Sequence, residues 1–356
     1  MLSHYIEQRT RLDHARAALA HVPFLAHARL KHIKLEPLGS LTNATFKLTT
    51  DDGVYALRLP GKDTSDYVYR EAEEHNSRLA ATAGINTEVI YFNAEDGMMV
   101  SRFIEGDTMN EVRFGQDPGT PARAALVLAR VHRLGRIFKS RFDLSSVIGG
   151  YLGILRKQGM PLPAGYYEVE REAKAVRRAL EASPVPLVPC HNDPWPGNFV
   201  DAGDRLYLID WEFSGMNDPM WDLGDLSVEA GLGPEQDQMM MEAYYGNPVP
   251  PALYSRLELY KTMSDLLWSL WGFIQHANDN PRDDFLTYAL GRLERCKTRM
   301  GSADFGRHLG AVRESLRTPQ EVERYGLSGR RFPESTSVGW TTTEPSPDSA
   351  ATSSTR

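Results

Sequence analysis

The segment Val188-Pro-Cys-His-Asn-Asp-Pro-Trp-Pro-Gly-Asn-Phe-Val200, followed by Leu206-Tyr-Leu-Ile-Asp-Trp-Glu212, constrains this chain more than any other. His191, Asp193 and Asn198 stand in the order H-x-D-x-x-x-x-N, and the apolar β-type run Leu206 to Ile209 delivers Asp210 at its end. That is the spacing of a phosphoryl-transfer catalytic loop followed by a metal-binding aspartate. The chemistry explains the residue types. Phosphoryl transfer needs one carboxylate to orient and deprotonate an alcohol, and oxygen ligands that hold Mg²⁺ on a nucleotide. Asp193 suits the first task; Asn198 and Asp210 suit the second. A turn that only joined two core strands would leave the asparagine offset and the strand-borne aspartate without a reason.

At 356 residues the chain has room for two lobes with ample core. Hydrophobic residues at 41% and charged ones at 24% are ordinary for a soluble globular protein. A net charge of −7 leaves no basic footprint, so nucleic acid is not an expected partner. Cys190 and Cys296 have no metal-ligand spacing and form no disulfide framework, which points to a reducing compartment and a cytoplasmic location. No apolar run approaches the ~20 residues of a membrane span, so no membrane insertion is expected. The N-terminus is too charged to read as a signal peptide.

Taken in order, residues 1–32 read as a helical extension, with Leu12, Ala15, Ala18 and Leu19 at helical spacing. Residues 33–104 read as a small lobe of short strands and one helix. Gly39-Ser-Leu-Thr-Asn43 lies between the first two strands, where Ser40, Asn43 and the loop amides suit phosphate oxygens; with one glycine it also suits an ordinary turn. Arg58 lies on the third strand, placed to grip phosphate, and Glu73 on the helix predicted over 66–83 is the acid expected to orient it. The backbone at Arg102, Phe103 and Ile104 is the expected hinge that meets the adenine. Residues 105–317 read as a helical lobe, and 318–356, with little to bury, as a disordered tail. In the helical lobe, Asp222 is expected to brace the catalytic-loop backbone, with His191 supporting it. Glu212 is expected to reach a second Mg²⁺ or merely brace the site. Trp268 and Trp271, three apart on a long helix, share a face.

The chain resembles the choline/ethanolamine kinases, in their bacterial choline-kinase-like branch, within the wider aminoglycoside-phosphotransferase-like group. The resemblance is carried by Leu41-Thr-Asn-Ala-Thr-Phe46, Leu57-Arg-Leu-Pro-Gly61, Arg70-x-x-Glu73-x-x-Asn76, His191-Asn-Asp193, Ile209-Asp-Trp-Glu-Phe213, Asn217-Asp-Pro-Met-Trp-Asp222 and Leu267-Trp-Ser-Leu-Trp-Gly272. It spans roughly residues 33–300. It implies an α+β, bilobal protein-kinase-like fold, with a small antiparallel β lobe and a larger, mainly helical one. It also implies ATP and Mg²⁺ dependence and transfer of the γ-phosphoryl group to an amino-alcohol hydroxyl. By position it makes Asp193 the base, Asn198 and Asp210 the metal ligands, and Ser40 and Arg58 nucleotide contacts. Glu229, Trp268 and Trp271 then fall in the choline site. The stretch between residues 229 and 252 is shorter than in eukaryotic relatives, which leaves cage residues there unassigned.

Residue chemistry bears on the same point independently. A quaternary ammonium has no N–H to donate and is recognised by charge and aromatic faces. Two tryptophans on one helix face, a nearby tyrosine (Tyr288) and an opposed carboxylate meet that need; a tryptophan-rich core helix is the plainer alternative. Choline is the leading substrate. Ethanolamine, thiamine, an aminoglycoside or a sugar on the same fold is the first alternative, and a non-catalytic nucleotide or quaternary-amine binder the second.

Overall fold

A computed structural model describes residues 12–25, 33–61, 64 and 67–315. The first lobe is built on one antiparallel sheet of β1 (Lys34–Leu38), β2 (Ala44–Thr50), β3 (Gly53–Leu59), β4 (Val89–Phe92) and β5 (Met99–Arg102), in the order β1-β2-β3-β5-β4. The period-2 pattern of β2 and β3 turns Phe46, Leu48, Tyr55, Leu57 and Leu59 to one face. That face is covered by Ala15 and Leu19 of helix α1 (residues 12–19), with Val22 and Leu25 of the turn that follows. Residues 12–25 therefore share the core of the sheet and are not an appendage to it.

Helix α2 (Arg70–Thr82) begins four residues later than the start predicted at Asp66, a position outside the described residues. The cause is packing. Tyr67 and Val68 are drawn into the larger core, where Tyr67 stacks on Phe213 at 6.2 Å, and Tyr69 stays extended before the helix. Ala80 and Ile85 also belong to that larger core, so α2 joins the two lobes.

The second lobe contains β6 (Asp107–Thr108), α3 (Glu111–Gln116), α4 (Thr120–His132), α5 (Leu144–Lys157) and α6 (Tyr166–Ala182). After these come β7 (Val188–Cys190), β8 (Phe199–Asp201), β9 (Leu206–Leu208), β10 (Gly215–Asn217), α7 (Pro219–Glu229) and α8 (Pro234–Tyr245). It ends with α9 (Pro251–Ala277), α10 (Phe285–Met300) and α11 (Phe305–Glu314). Helix α9 is central: 21 of its 27 residues are buried, between α5, α7, α10 and α11. A helix enclosed on every side carries apolar residues all round, as α9 does. Two glycines permit the close contacts. A Cβ at Gly224 of α7 would lie 2.8 Å from the Tyr260 Cβ, and one at Gly272 would lie 2.8 Å from the Tyr288 ring.

The catalytic segment hangs between two small sheets, β7 paired with β10 and β8 between β6 and β9. No described helix is long and apolar enough to cross a membrane. The proposed tail at 318–356 lies outside the described residues.

Candidate active site

Asn192 enters the left-handed region at φ 68°, and every one of its polar groups is tied down. Its backbone N–H donates to Asp222 Oδ1 (2.8 Å) and its carbonyl accepts Trp221 Nε1 (3.1 Å). Its side chain donates to the Phe213 carbonyl (2.9 Å) and accepts from Asn217 (3.0 Å). Asp222 Oδ2 takes the N–H of His191 (2.8 Å) and also meets His132 Nε2 (3.0 Å), whose other ring nitrogen meets the Tyr244 hydroxyl (2.7 Å). The carboxylate thus clamps two consecutive loop amides from the first turn of α7, where the helix N-terminus favours negative charge. Asp218, the N-cap of α7, is held in turn by Arg256 (2.8 Å) and the Tyr260 hydroxyl (2.7 Å) of α9. His191 reaches the Ile209 carbonyl through Nε2 (2.9 Å), linking the loop to the strand that carries Asp210.

This bracing brings three of the predicted groups together. Asn198 donates through Nδ2 to the Asp193 carbonyl (2.9 Å) and to Asp193 Oδ2 (3.3 Å). The Asn198 carbonyl accepts the Ile209 N–H (2.9 Å), which ends β9 at Leu208, one residue before the predicted strand end. The next residue, Asp210, turns to φ 64° and its Oδ1 accepts from Arg58 (3.0 Å). Strained backbone at two non-glycine positions, each over-determined by its surroundings, is characteristic of functional sites.

Arg58 is buried and also bonded to Glu73 and to the Gly97 carbonyl (3.3 Å). Glu73 further accepts from Arg70 (2.8 Å), which reaches Glu212 (3.5 Å) and Thr64 (2.6 Å). In this arrangement Arg58 orients the Asp210 carboxylate.

The loop at residues 39–43 is anchored from the other lobe. Arg282 donates to the Ser40 carbonyl (2.8 Å), and Asn280 donates to the Leu41 carbonyl (3.2 Å) and to Gln275 Oε1 (3.0 Å). Asn43 is buried, its side-chain oxygen accepting the Gly61 N–H (3.2 Å). The predicted hinge needs one correction. Arg102 and Phe103 spend their N–H groups within the sheet, on the Glu88 and Val54 carbonyls, so pairing withholds both from the cleft. The Arg102 side chain is exposed, bonded to Glu88 (3.1 Å) and over the Tyr55 ring (5.3 Å). Ile104 follows, half-buried.

Trp268 and Trp271 lie edge to face, centroids 6.0 Å apart. Trp271 also meets Tyr288 (6.0 Å) and Phe285 (5.4 Å), and Trp268 meets Phe213 (5.4 Å). Through Phe213 the cluster extends to Tyr67 and then Tyr151 (5.9 Å). Glu229, the carboxylate expected to oppose the tryptophans, is instead paired with buried Arg292. That partner lies 63 residues away in sequence. Asp225, Tyr67, Tyr151 and Phe213 went unassigned in the sequence. For Asp225 a signal existed, since it stands three residues after Asp222 and four before Glu229 on one helix face. The three aromatic rings come from separate segments and carry no such signal.

Burial pushes the Asp193 carboxyl well above the usual range, and the carboxylates of Asp225, Glu229, Asp210 and Glu212 push it further. Glu212 is pushed up to about 7, by burial and then Asp210, against the pull of Arg58. Like charges crowded in one cleft favour a cation there.

Residues 34–260 match the model of the phosphotransferase enzyme family. The chain is similar to the structure of a choline/ethanolamine kinase family protein from Mesorhizobium loti, at 48% identity and TM-score 0.75 over 85% of this chain and 99% of that one. It is similar to choline kinase LicA from Streptococcus pneumoniae at 27% identity and TM-score 0.67, over 76% of this chain and 94% of that one. Protein LicA of Haemophilus influenzae is 27% identical over 266 residues, 71% of this chain and 96% of the relative. The bilobal α+β fold agrees with these neighbours. The chain belongs to the phosphotransferase enzyme family and, within it, to the choline/ethanolamine kinases, small-molecule kinases that phosphorylate an alcohol group.

Proposed function

We propose that this protein transfers the γ-phosphoryl group of ATP to the hydroxyl of choline. The observation that carries the reading is the junction of Asp193 with the aromatic cluster. Asn192, the neighbour of Asp193, donates to the Phe213 carbonyl (2.9 Å), and the Phe213 ring meets Trp268 (5.4 Å), so the loop that carries the base adjoins the cluster. A small amino alcohol held by its cation on the aromatic faces would present its hydroxyl to Asp193.

Each group then has a task. Asp193, with its proton affinity raised by burial and the neighbouring carboxylates, aligns the hydroxyl and takes its proton. Asn198 donates to Asp193 through its amide nitrogen, which leaves its amide oxygen, with the Asp210 carboxylate, as an all-oxygen donor set that fits Mg²⁺. When bound, the metal neutralises charge on the nucleotide phosphates. Arg58, fixed by Glu73, keeps Asp210 in place, and the loop at 39–43 covers the nucleotide. Trp268, Trp271 and Tyr288 receive the trimethylammonium head, each face contributing on the order of 0.5–2 kcal/mol.

The test is ADP release from Mg²⁺-ATP over a panel of choline, ethanolamine, thiamine, an aminoglycoside and a sugar. The highest kcat/KM is expected with choline. A preference for the aminoglycoside or the sugar would overturn the choline reading, and no turnover with any alcohol would favour a non-catalytic binder.

A further inference from the structure

Helix α7 turns three acidic side chains to one side, Asp222, Asp225 and Glu229, and all three are buried. Their partners set them apart. Asp222 is committed to the His191 and Asn192 amides and to His132. Glu229 is held by Arg292, which also approaches Asp265 at 3.5 Å and covers the Tyr288 ring at 4.8 Å. A carboxylate with a guanidinium already upon it has little field left for a second cation.

Asp225 is different. It is 0% exposed, and the donors that reach it are neutral: Ser264 Oγ (2.6 Å) and Trp268 Nε1 (2.7 Å), both on Oδ1. Its Oδ2 is buried without a hydrogen-bond partner among the described residues. An ionised carboxylate in such a place is costly unless a cation joins it. The surroundings narrow what that cation can be. One oxygen is fastened to the indole of Trp268, and Trp268 stands edge to face with Trp271, so a ligand meeting Asp225 also meets aromatic rings. Trp268 also meets Phe213 (5.4 Å), whose carbonyl accepts from Asn192 (2.9 Å), the neighbour of Asp193, which links Asp225 to the loop that carries the base.

We infer that Asp225, rather than Glu229, is the carboxylate that faces the substrate's ammonium group and sets the preference for a cationic alcohol over an uncharged one. This rests on the choline reading of the cage and adds to it a residue and a charge rule. Glu229 acts behind it, keeping Arg292 paired so that the guanidinium does not take the substrate's place against Asp225. The aromatic faces select an apolar-skinned head group; the Asp225 carboxylate, reached only by neutral donors, selects its charge.

The discriminating measurement compares choline with 3,3-dimethylbutan-1-ol, its uncharged carbon isostere, as alternative substrates. The wild-type enzyme is expected to favour choline strongly. In Asp225→Asn, whose amide oxygen still accepts from Ser264 and Trp268, the ratio of the two kcat/KM values should fall by about 30-fold or more. The loss should sit in the KM for choline, with the isostere losing far less. Glu229→Gln should keep the ratio within about threefold even where it lowers both rates. Asp225→Ser, smaller and also neutral, serves as the second variant should the amide fold poorly. An equal fall on both substrates would make Asp225 merely structural and overturn the proposal. A ratio that collapsed in Glu229→Gln and not in Asp225→Asn would reverse the assignment. If the panel assay names another cationic alcohol, the same ratio is taken against that alcohol's uncharged analogue, so the charge rule stands or falls apart from the choline reading. A wild-type enzyme indifferent to charge would sink it outright.

Discussion

The catalytic loop and the aromatic cluster proposed as the cage meet at Phe213, yet they are built in opposite ways. Asn192, at the heart of the loop, has every polar group bonded within the protein, and Asp222 alone satisfies donors from His191, Asn192 and His132. In the cage, the Tyr151 hydroxyl and Asp225 Oδ2 are buried without hydrogen-bond partners among the described residues. The backbone of the loop is therefore held before any ligand arrives, as electrostatic preorganisation requires, although His191 Nδ1 is itself buried without a hydrogen-bond partner among the described residues. The cage, under the proposed function, is completed by the substrate's cation. Damage to the loop should appear as lost rate or lost stability, and damage to the cage as lost affinity.

The largest effect expected is that of Asp193→Asn. The isostere keeps the fold and the Asn198 contact to the carbonyl but cannot take the hydroxyl proton, so kcat should fall about 10²–10⁴-fold. Nucleotide affinity, read by equilibrium binding, should hardly move. A variant that kept its turnover would remove Asp193 from the chemistry and dissolve the contrast between the regions.

Asp222→Ala comes next and should register as stability. It strands buried donors on His191 and Asn192 and breaks the contact with His132, each stranded group costing about 1–3 kcal/mol. Thermal or urea unfolding should show a loss of roughly 3 kcal/mol or more. An unaltered midpoint would mean that the loop does not depend on its clamp.

Trp271→Leu should be milder and of the other kind. Removing one aromatic face from the cage should raise the choline KM by an amount equivalent to about 0.5–2 kcal/mol, with kcat largely kept. If kcat fell while KM held, the cage would be acting on the transition state, and the division drawn here would be wrong.

How much of this was legible beforehand follows from the same contrast. The loop was readable because its groups are close in sequence: Asp193, Asn198 and Asp210 lie within 18 residues, and a fixed reaction demands fixed offsets. The Glu73–Arg58 pair was legible because strand and helix positions narrow the choice of acid. The cage was only half legible. Trp268 and Trp271 announce themselves by helical spacing, but Tyr67, Tyr151 and Phe213 converge through tertiary packing that no local period encodes. The pairing of Glu229 was illegible for the same reason, because Arg292 arrives from another helix. The late start of α2 belongs here too: helical propensity around Tyr67 yields to the pull of the core on its ring.

The smallest effect concerns pH and the buried imidazole of His191. Burial lowers its proton affinity, against the opposing fields of Asp222 and Asp210. In the unfolded chain the ring takes up a proton near the ordinary value of about 6.5, whereas the folded state resists it. Below that pH the unfolded state binds more protons, so this residue's contribution to stability falls as the solution is acidified. The buried carboxyls of Asp193, Asp225 and Glu229 act in the opposite sense, because folding raises their proton affinity and acidification favours them in the folded state. A melting curve of the wild-type protein alone therefore mixes two signs. Comparison with His191→Gln separates them, since the glutamine can still donate to the Ile209 carbonyl but does not titrate. Between pH 7.5 and pH 5.5 (bracketing the ring's ordinary value of about 6.5), the wild type should lose more melting temperature than the variant, or gain less. Parallel curves would show that the imidazole is not held neutral by the loop.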